Sequence, residues 1–253
     1  MSNKGLYKQK VIIGIVFYNE AEKLERVLKK TKRLKFNFPH KFAFVDDGST
    51  DNSSKTITDY KKRYKLSNHH LIRIPKNRGV GNAIRETIKY GRRNNFDICV
   101  IMAGNGKDDP AQIPLLIKPI TENDYDYIQG SRFLQGGSFK NLPLYRKIFI
   151  KVFTLTFALF TGFNGTDSSN GFRAYKLSIF NDKNININQR WLDRYELETY
   201  LHYKVLTGGY KVKEVAVKKD YIKRVKSYTK MRPLLDWWKM ARPLLLLRLG
   251  LRK

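Results

Sequence analysis

Five short runs of mainly apolar residues punctuate the first half of the chain, and each has the length of a buried β-strand. They cover residues 11–18, 42–45, 71–74, 97–103 and 127–130. Segments with apolar residues at helical spacing follow the first four of these runs. Alternating strands and helices predict an α/β domain with a mainly parallel sheet, flanking helices and right-handed crossovers.

Local signals predict where the helices begin and end. Asn19 with Glu22 three residues later predicts a capping box, and Asp109 before Pro110 predicts another helix start. Gly91 is predicted to end the third helix. The predicted helices cover approximately residues 20–32, 57–64, 83–90, 110–117 and 193–206. Since ligands of parallel sheets bind beyond the carboxyl ends of the strands, the loops before these helices are candidates for a site.

The C-terminal part of the chain differs in composition from the rest. After an alternating strand predicted at residues 211–217, residues 218–253 contain twelve Lys or Arg and two Asp. Leucines and the pair Trp237 and Trp238 lie among these cations. Cations interleaved with aromatic residues and leucines are typical of amphipathic helices that lie in a membrane interface.

Two prolines, Pro233 and Pro243, follow arginines in this C-terminal part. Because proline does not suit a helix interior, we expect two short helical pieces rather than one helix. The change in composition predicts a domain over residues 1–230 and a basic, aromatic tail over residues 231–253.

Charge restricts the kind of partner. The 253 residues include 50 Lys or Arg and 22 Asp or Glu, a formal net charge of +28. Such a chain is expected to bind polyanions: an anionic membrane surface, phosphorylated ligands or nucleic acid. The chain has a single cysteine, Cys99, which lies in an apolar run. Because one cysteine cannot form a disulfide within the chain, a disulfide framework is excluded and a reducing compartment is indicated.

Hydrophobic length bears on membrane topology. The longest apolar stretch, residues 148–163, is shorter than the roughly 20 residues that a spanning helix needs. The first apolar run is too short for a signal peptide. We therefore expect a peripheral, monotopic protein on the cytoplasmic face of a membrane, without a spanning helix.

Three segments occur in an order and at a spacing that point to one family. They are Val-Asp-Asp-Gly-Ser-Thr-Asp at residues 45–51, Gly-Ser-Arg at 130–132, and Asp-Ser-Ser-Asn-Gly-Phe-Arg-Ala-Tyr at 167–175. Together they resemble the dolichol-phosphate mannose synthase branch of the family-2 glycosyltransferases, over roughly residues 10–232. The resemblance implies a GT-A fold and the inverting transfer of a hexose from a nucleotide-diphosphate sugar to a polyprenyl phosphate.

The same resemblance assigns residues to the nucleotide sugar. It implies that Asp47 contacts the base, with Tyr18 and Glu20 completing the cleft and with Val45 and Asn105 also lining it. A carboxylate at a strand end can accept hydrogen bonds from a base or a ribose. A capped turn is the structural alternative, because Asp, Gly, Ser and Thr all favour turns.

Cations are assigned to the phosphates in the same way. The resemblance implies that Arg132, Arg146, Arg224 and Lys230 contact the acceptor phosphate, with Arg132 and Arg146 also acting in catalysis. The planar fork of arginine suits phosphate oxygens. For each of these cations, a solvated surface position is the structural alternative.

One position departs from the family pattern. The family carries Asp-x-Asp after its fourth strand to hold a divalent metal, whereas this chain has Ala103-Gly104-Asn105. A displaced Mg²⁺ or Mn²⁺ site built from Asn105 and Asp108 is one expectation. The other is that the Lys107 ammonium neutralises the leaving diphosphate without a metal, as a catalytic group.

Other functions stay open at this stage. A glycan or another lipid-linked molecule is an alternative acceptor, and the donor is either GDP-mannose or a UDP-sugar. Loss of the Asp-x-Asp pair also permits a pseudoenzyme. Nucleic-acid binding is the competing class for so basic a chain, but the cations are scattered and form no recognised nucleic-acid module, so no nucleic acid is expected as a partner.

Overall fold

The computed structural model describes residues 8–221, 232 and 234–252. The strands are β1 Val11–Phe17, β2 His40–Asp46, β3 His69–Arg73, β4 Ile98–Ala103, β5 Tyr127–Ser131, β6 Ser138–Lys140, β7 Arg173–Lys176, β8 Val212–Ala216 and β9 Lys218–Asp220. The α-helices are α1 Ala21–Arg33, α2 Ser53–Arg63, α3 Val80–Arg93, α4 Ile113–Asn123, α5 Leu144–Thr161, α6 Glu196–Thr207 and α7 Leu235–Arg248. Short 3₁₀ turns lie at Pro110–Gln112, Leu177–Asn181 and Arg190–Leu192.

Seven strands form one sheet in the order β3-β2-β1-β4-β7-β5-β8. All neighbours pair in parallel except β7, which runs antiparallel between β4 and β5. A parallel pair of β6 and β9 makes a second, small sheet. The predicted α/β class and mainly parallel sheet are confirmed. The antiparallel strand at the centre of the sheet was not predicted.

Helices cover both faces of the large sheet. Residues of α3 and α6 pack on one face, and residues of α1, α2 and α4 pack on the other. All seven residues of β1 are buried, as expected of a central parallel strand. The chain forms β1, β2 and β3 outward in one direction and then returns to β4 on the other side of β1. The carboxyl ends of β1 and β4 therefore border a topological switch point, where such sheets bind ligands.

Glycine sets the distance between α3 and the sheet at the centre of β1. A Cβ atom on Gly14 would lie 2.4 Å from Thr87 Cγ2 and 3.0 Å from Ile101 Cδ1. Gly91, predicted to end α3, instead lies inside it. A Cβ atom on Gly91 would lie 2.8 Å from Ile12 Cγ2. In both places the missing side chain permits close packing of helix on sheet.

The predicted capping box at the start of α1 is absent. The helix begins after Glu20 with no side-chain cap, and Asn19 has a positive φ of 48°. The Asn19 side-chain oxygen Oδ1 instead accepts hydrogen bonds from the backbone amides of Thr50 at 2.8 Å and of Asp51 at 3.4 Å. Asn19 thus ties the loop after β1 to the loop after β2. At the second predicted start, Asp109 does cap the turn by accepting from the Ala111 amide.

Over residues 234–252 the C-terminal tail forms one helix that runs through Pro243, so the expectation that this proline divides the tail into two short pieces was wrong. Pro243 lies inside α7. Its cost of about 3 kcal/mol is offset by the burial of Met240, Leu244 and Leu247 against the rest of the protein. An ion pair of 2.7 Å between Arg242 and Glu196 also joins α7 to α6.

The predicted boundary between domain and tail, at residues 230 and 231, lies outside the described residues. Among the helices of the described part, none has the combination of length and low polarity that crossing a membrane requires.

Candidate active site

A cavity of about 760 Å³ opens at the carboxyl ends of β1 and β4. Its walls come from the ends of these strands, the starts of α1, α5 and α6, the small sheet and the C-terminal helix α7. The cavity is rich in charge, and eight cations from the described part of the chain line it: Lys23, Lys107, Arg132, Arg146, Arg194, Lys219, Arg232 and Lys239. A volume of this size suits a nucleotide sugar.

Asp47 lies at one side of the cavity, at the end of β2, and is 3% exposed. Its carboxylate accepts hydrogen bonds from the Gly79 amide at 2.7 Å, the Asn77 side chain at 2.9 Å and the Arg78 amide at 3.2 Å. Burial raises the pKa of Asp47 to about 6, against the lowering effect of these amides. The neighbouring Asp46 holds the turn instead, accepting from the Ser49 amide at 2.7 Å.

The structure brings most of the predicted nucleotide contacts together. Tyr18, Glu20 and Asn105 line the same cavity as Asp47. Glu20 pairs with Lys23 at 2.5 Å, and the Asn105 side chain accepts from the Lys107 amide at 3.2 Å. Val45 is the exception.

The side chain of Val45 is fully buried in the core cluster that α3 covers, and it does not line the cavity. Because side chains alternate along a strand, Val45 and Asp46 face opposite sides of β2. The Val45 side chain therefore does not face the cavity, and a contact between Val45 and the nucleotide stays a prediction.

Tyr221 organises the cations on the other side of the cavity. The Lys107 ammonium lies 5.3 Å and the Arg146 guanidinium 5.8 Å from the centre of its ring. Arg132 donates from Nη1 to the Tyr221 hydroxyl. Burial, together with Lys219 and Arg146, lowers the pKa of Lys107 to about 7. Three of the predicted phosphate and catalytic cations thus converge on one buried tyrosine.

Arg132 is joined to the signature segment of residues 167–175. Asp167 is fully buried and accepts from Arg132 Nε at 2.6 Å and from Nη2 at 2.7 Å, while Ser169 accepts at 2.9 Å. Burial opposes the charge of Arg132, but Asp167 and Tyr221 outweigh it and raise the arginine pKa above its usual value. These bonds leave at most one Nη1 hydrogen for a ligand. Arg132 therefore fixes the 167–169 loop in addition to lining the cavity.

Asp108 is the only carboxylate among the two predicted metal ligands, and it is already paired. It is 2% exposed, and its oxygens accept from Lys219 Nζ at 2.8 Å and from the Ala103 amide at 3.3 Å. Asn105 offers a neutral amide oxygen. Within the described ranges, no group of three or more His, Cys, Asp or Glu could hold a metal ion. With one neutralised carboxylate among cations, this donor set does not fit a divalent ion.

Sequence reasoning missed several cavity residues. Lys219 and Tyr221 come just after the predicted strand at residues 211–217 and both line the cavity. Their partners are remote in sequence, so the sequence gives no signal for their position. Glu198 also lines the cavity, and burial raises the pKa of its carboxyl above the ordinary value. Two predicted phosphate contacts, Arg224 and Lys230, lie outside the described residues.

Comparison with known proteins adds to this geometry. The profile described as "Glycosyl transferase family 2" matches residues 12–182. The chain is similar to UDP-N-acetylglucosamine–dolichyl-phosphate N-acetylglucosaminyltransferase of Methanococcus voltae, with 27% identity over 178 residues, or 66% of this chain and 70% of that protein. It is also similar to undecaprenyl-phosphate mannosyltransferase of Micrococcus luteus, with 30% identity over 167 residues and 66% of each chain.

Among solved structures, glucosyl-3-phosphoglycerate synthase of Mycobacterium tuberculosis, in complex with Mg²⁺ and UDP, superposes with a TM-score of 0.66 at 14% identity. The match covers 97% of this chain and 81% of that one, and it shows the GT-A-like α/β fold. The family match spans β1 through the signature segment, where Asp47, Arg132 and Asp167 lie. The chain therefore belongs to glycosyl transferase family 2, and it is a glycosyltransferase.

Proposed function

We propose that this glycosyltransferase moves a hexose from a nucleoside diphosphate to a polyprenyl phosphate at a membrane surface, with inversion at the anomeric carbon. The carrying observation is the arrangement of one cavity. Asp47 lies at its nucleotide side, the cations around Tyr221 lie at its phosphate side, and helix α5 leads from those cations to the protein surface.

The donor side rests on Asp47. One carboxylate oxygen, Oδ2, accepts two hydrogen bonds, from the Gly79 amide and the Asn77 side chain. The other oxygen, Oδ1, accepts one, from the Arg78 amide. A carboxylate oxygen can accept two such bonds, so one acceptor position stays available for an N–H of a base. Guanine and uracil both carry such an N–H, so GDP-mannose and UDP-sugars are both candidate donors.

The acceptor side rests on the first turns of α5. Arg146, Phe149 and Ile150 all line the cavity, so a cation and two apolar side chains are presented side by side. A lipid phosphate needs this combination, since its head is anionic and its chain is apolar. The names of the two curated relatives, which act on dolichyl and undecaprenyl phosphates, support the same acceptor class.

The reaction needs little general acid or general base catalysis. A phosphomonoester carries about −1.5 to −2 charge near neutral pH, so its oxygen attacks without first losing a proton. The bond between the anomeric carbon and the donor diphosphate breaks, and its electron pair leaves with the diphosphate oxygen. The new bond forms from the acceptor oxygen on the opposite face. Catalysis then depends on in-line positioning and on positive charge beside the leaving group.

The outer face of α5 supports attachment to a membrane. Its exposed apolar side chains follow helical spacing, with exposed fractions of 70, 55, 58, 61 and 74% at Leu144, Ile148, Val152, Leu155 and Leu159. We call these five residues the α5 stripe. Trp237 of α7 stacks on Phe149 of α5 at 4.3 Å, and the C-terminal segment has exposed leucines of its own, such as Leu249. An exposed apolar stripe on so cationic a protein matches an anionic lipid surface.

Transfer assays with purified protein test the proposal. GDP-mannose and several UDP-sugars are offered with a short polyprenyl phosphate in detergent, and the lipid-linked sugar is measured. We expect one donor to give product with inverted stereochemistry. Arg146→Ala should lower kcat/KM for the lipid acceptor by about tenfold or more, because a charge-assisted contact to phosphate is lost.

Lys118→Ala removes a cation from the exposed face of α4 and is the matched control, with no expected effect on transfer. If sugar is transferred to 3-phosphoglycerate or to a soluble glycan and not to polyprenyl phosphate, the proposed lipid acceptor is wrong. Absence of single-turnover transfer from every donor would identify a pseudoenzyme and overturn the proposal.

A further inference from the structure

We propose that the Lys219 ammonium, held between Asp108 and Asn170, takes the place of a divalent cation at the donor diphosphate, so that this chain binds its nucleotide sugar without a metal. The inference rests on the proposed function in one respect only, namely that the ligand is a nucleoside diphosphate. Solved structures of the same fold hold UDP with Mg²⁺ or Mn²⁺ and also UDP alone, so the inference concerns which group supplies positive charge at the diphosphate.

The position of Lys219 is fixed by both its backbone and its side chain. It lies in β9, and its backbone also forms an isolated antiparallel bridge with Asp108. Its ammonium lies 2.8 Å from Asp108 Oδ1 and 3.0 Å from Asn170 Oδ1, and its side chain is 11% exposed. Asp108 and Asn170 are 2% and 1% exposed. Two buried oxygens, one from a carboxylate and one from an amide, contact this ammonium, and such surroundings resemble those of a bound metal ion.

This ammonium lies next to the triplet Ala103-Gly104-Asn105 that replaces Asp-x-Asp. The other oxygen of Asp108 accepts from the Ala103 amide at 3.3 Å, so one carboxylate joins the triplet to Lys219. Lys219, Asn105 and Asp108 all line the cavity. The fixed positive charge is therefore beside the strand end where the family's carboxylates would carry a metal.

Charge balance favours the same assignment. A divalent ion with two carboxylates is neutral as a unit, and so is Lys219 with Asp108. Beyond this neutral unit, Lys107 and Arg146 lie at the same wall of the cavity, 5.3 and 5.8 Å from the Tyr221 ring. In the reaction the leaving diphosphate gains one negative charge while the acceptor phosphate loses one. Fixed ammonium and guanidinium groups can stabilise that developing charge.

Calorimetric titration of GDP and UDP tests the inference apart from transfer. Wild-type protein is titrated in excess EDTA and in Mn²⁺, and we expect Kd values within about twofold of each other. Lys219→Ala should weaken binding in EDTA by about 10- to 100-fold, as expected for loss of a charge-assisted contact. Because that variant leaves the Asp108 carboxylate unpaired, Mn²⁺ should recover part of the affinity.

Lys218→Ala is the matched control, since Lys218 is the exposed neighbour on the same strand and does not line the cavity. Lys219→Arg, which keeps the charge, should retain metal-free binding. Wild-type binding that requires Mn²⁺, or Lys219→Ala binding as tightly as wild type in EDTA, overturns the inference and leaves the proposed function intact. If neither nucleotide binds wild-type protein with or without Mn²⁺, the proposed function itself fails.

Discussion

Asp47 combines burial with a ligand-binding position, and this makes nucleotide binding sensitive to pH. Burial raises its pKa to about 6, with smaller contributions from Asp46, which raises it, and Arg194, which lowers it. Above this pH the carboxylate is ionised and accepts hydrogen bonds; below it a proton occupies one acceptor position. We therefore expect affinity for the nucleotide sugar to fall as pH falls through about 6.

Calorimetry from about pH 5 to pH 8 checks this expectation. The ligand should be the nucleotide sugar and not the free nucleoside diphosphate, because a terminal phosphate itself titrates near pH 6. Asp47→Asn should bind more weakly and lose the fall in affinity near pH 6. Lys107, whose pKa is about 7, gains its proton as pH falls, so its effect on the affinity has the opposite sign and should remain in the variant. An affinity that stays constant for wild type across pH 6 would show that Asp47 only holds the loop of residues 77–79 in place and does not contact the nucleotide.

The pair of Arg132 and Asp167 carries a prediction about stability. Both side chains are buried and joined by two hydrogen bonds. Asp167→Ala leaves a buried guanidinium without its counter-ion, and we expect the free energy of unfolding to fall by about 3–5 kcal/mol. Urea denaturation measures the change.

Glu25→Ala provides the comparison for this variant. Glu25 pairs with Lys29 at 2.8 Å on the exposed face of α1, and its removal should leave the free energy of unfolding nearly unchanged. Equal effects of the two substitutions would contradict a structural role for the buried pair.

Single residues differ in how far the sequence alone could place them. Asp47 could be predicted because a strand end and a turn motif bracket it in sequence. Lys219 could not be predicted, because a lysine in an alternating strand has the pattern of a solvated face. Its partners Asp108 and Asn170 are remote in sequence, and only folding brings the three together.

At the scale of elements, the contact of α3 with β1 depends on the absence of a side chain at Gly14. An added Cβ would lie 2.4 Å from Thr87 Cγ2, so we expect Gly14→Ala to destabilise the protein by about 1–3 kcal/mol. Thr87→Ala removes the clashing atoms. In the double variant, the added cost of Gly14→Ala should shrink by about 1 kcal/mol or more.

A double-mutant cycle measured by chemical denaturation checks this coupling. Strictly additive effects of the two substitutions would mean that Thr87 does not limit the approach of the helix. Gly209→Ala is a contrasting case, because no atom lies near its Cβ and its φ is positive at 77°. Any cost there comes from backbone strain, and Thr87→Ala should not relieve it.

Elements with strong local patterns were predicted well from the sequence, and those decided by remote contacts were not. β1 and β4 are continuous apolar runs in a buried parallel sheet, and their bounds were nearly correct. β7 has the mixed composition Arg-Ala-Tyr-Lys, and its pairing with β4 and β5 comes from the tertiary fold. α7 was divided at a proline because local cost was weighed without the packing that offsets it.

At the scale of the whole molecule, the α5 stripe and the net charge of +28 predict a salt-dependent membrane interaction. Flotation with vesicles containing anionic lipid should recover the protein, and recovery should fall as salt rises, since screening weakens the attraction. Leu155→Glu together with Leu159→Glu places negative charge in the stripe. We expect this variant to lose vesicle binding while its affinity for the nucleotide sugar stays unchanged.

Leu115→Glu is the control for this experiment, because Leu115 is an exposed leucine on α4, outside the α5 stripe, with 49% of its side chain accessible. It should float like wild type. Equal recovery of all variants from neutral and anionic vesicles would contradict a docking face at the stripe. Retention of DNA in a mobility assay at the same salt would instead favour the nucleic-acid alternative.

The participation of α7 in the cavity wall bears on how the enzyme can be handled. Asp236, Lys239 and Met240 of this helix, with Arg232 before it, face the same chamber as Asp47. A truncation ahead of α7 therefore removes part of the cavity wall and does not merely trim an appendage. Fluorophores and immobilisation handles belong on the turn at Gly208 and Gly209, which does not line the cavity.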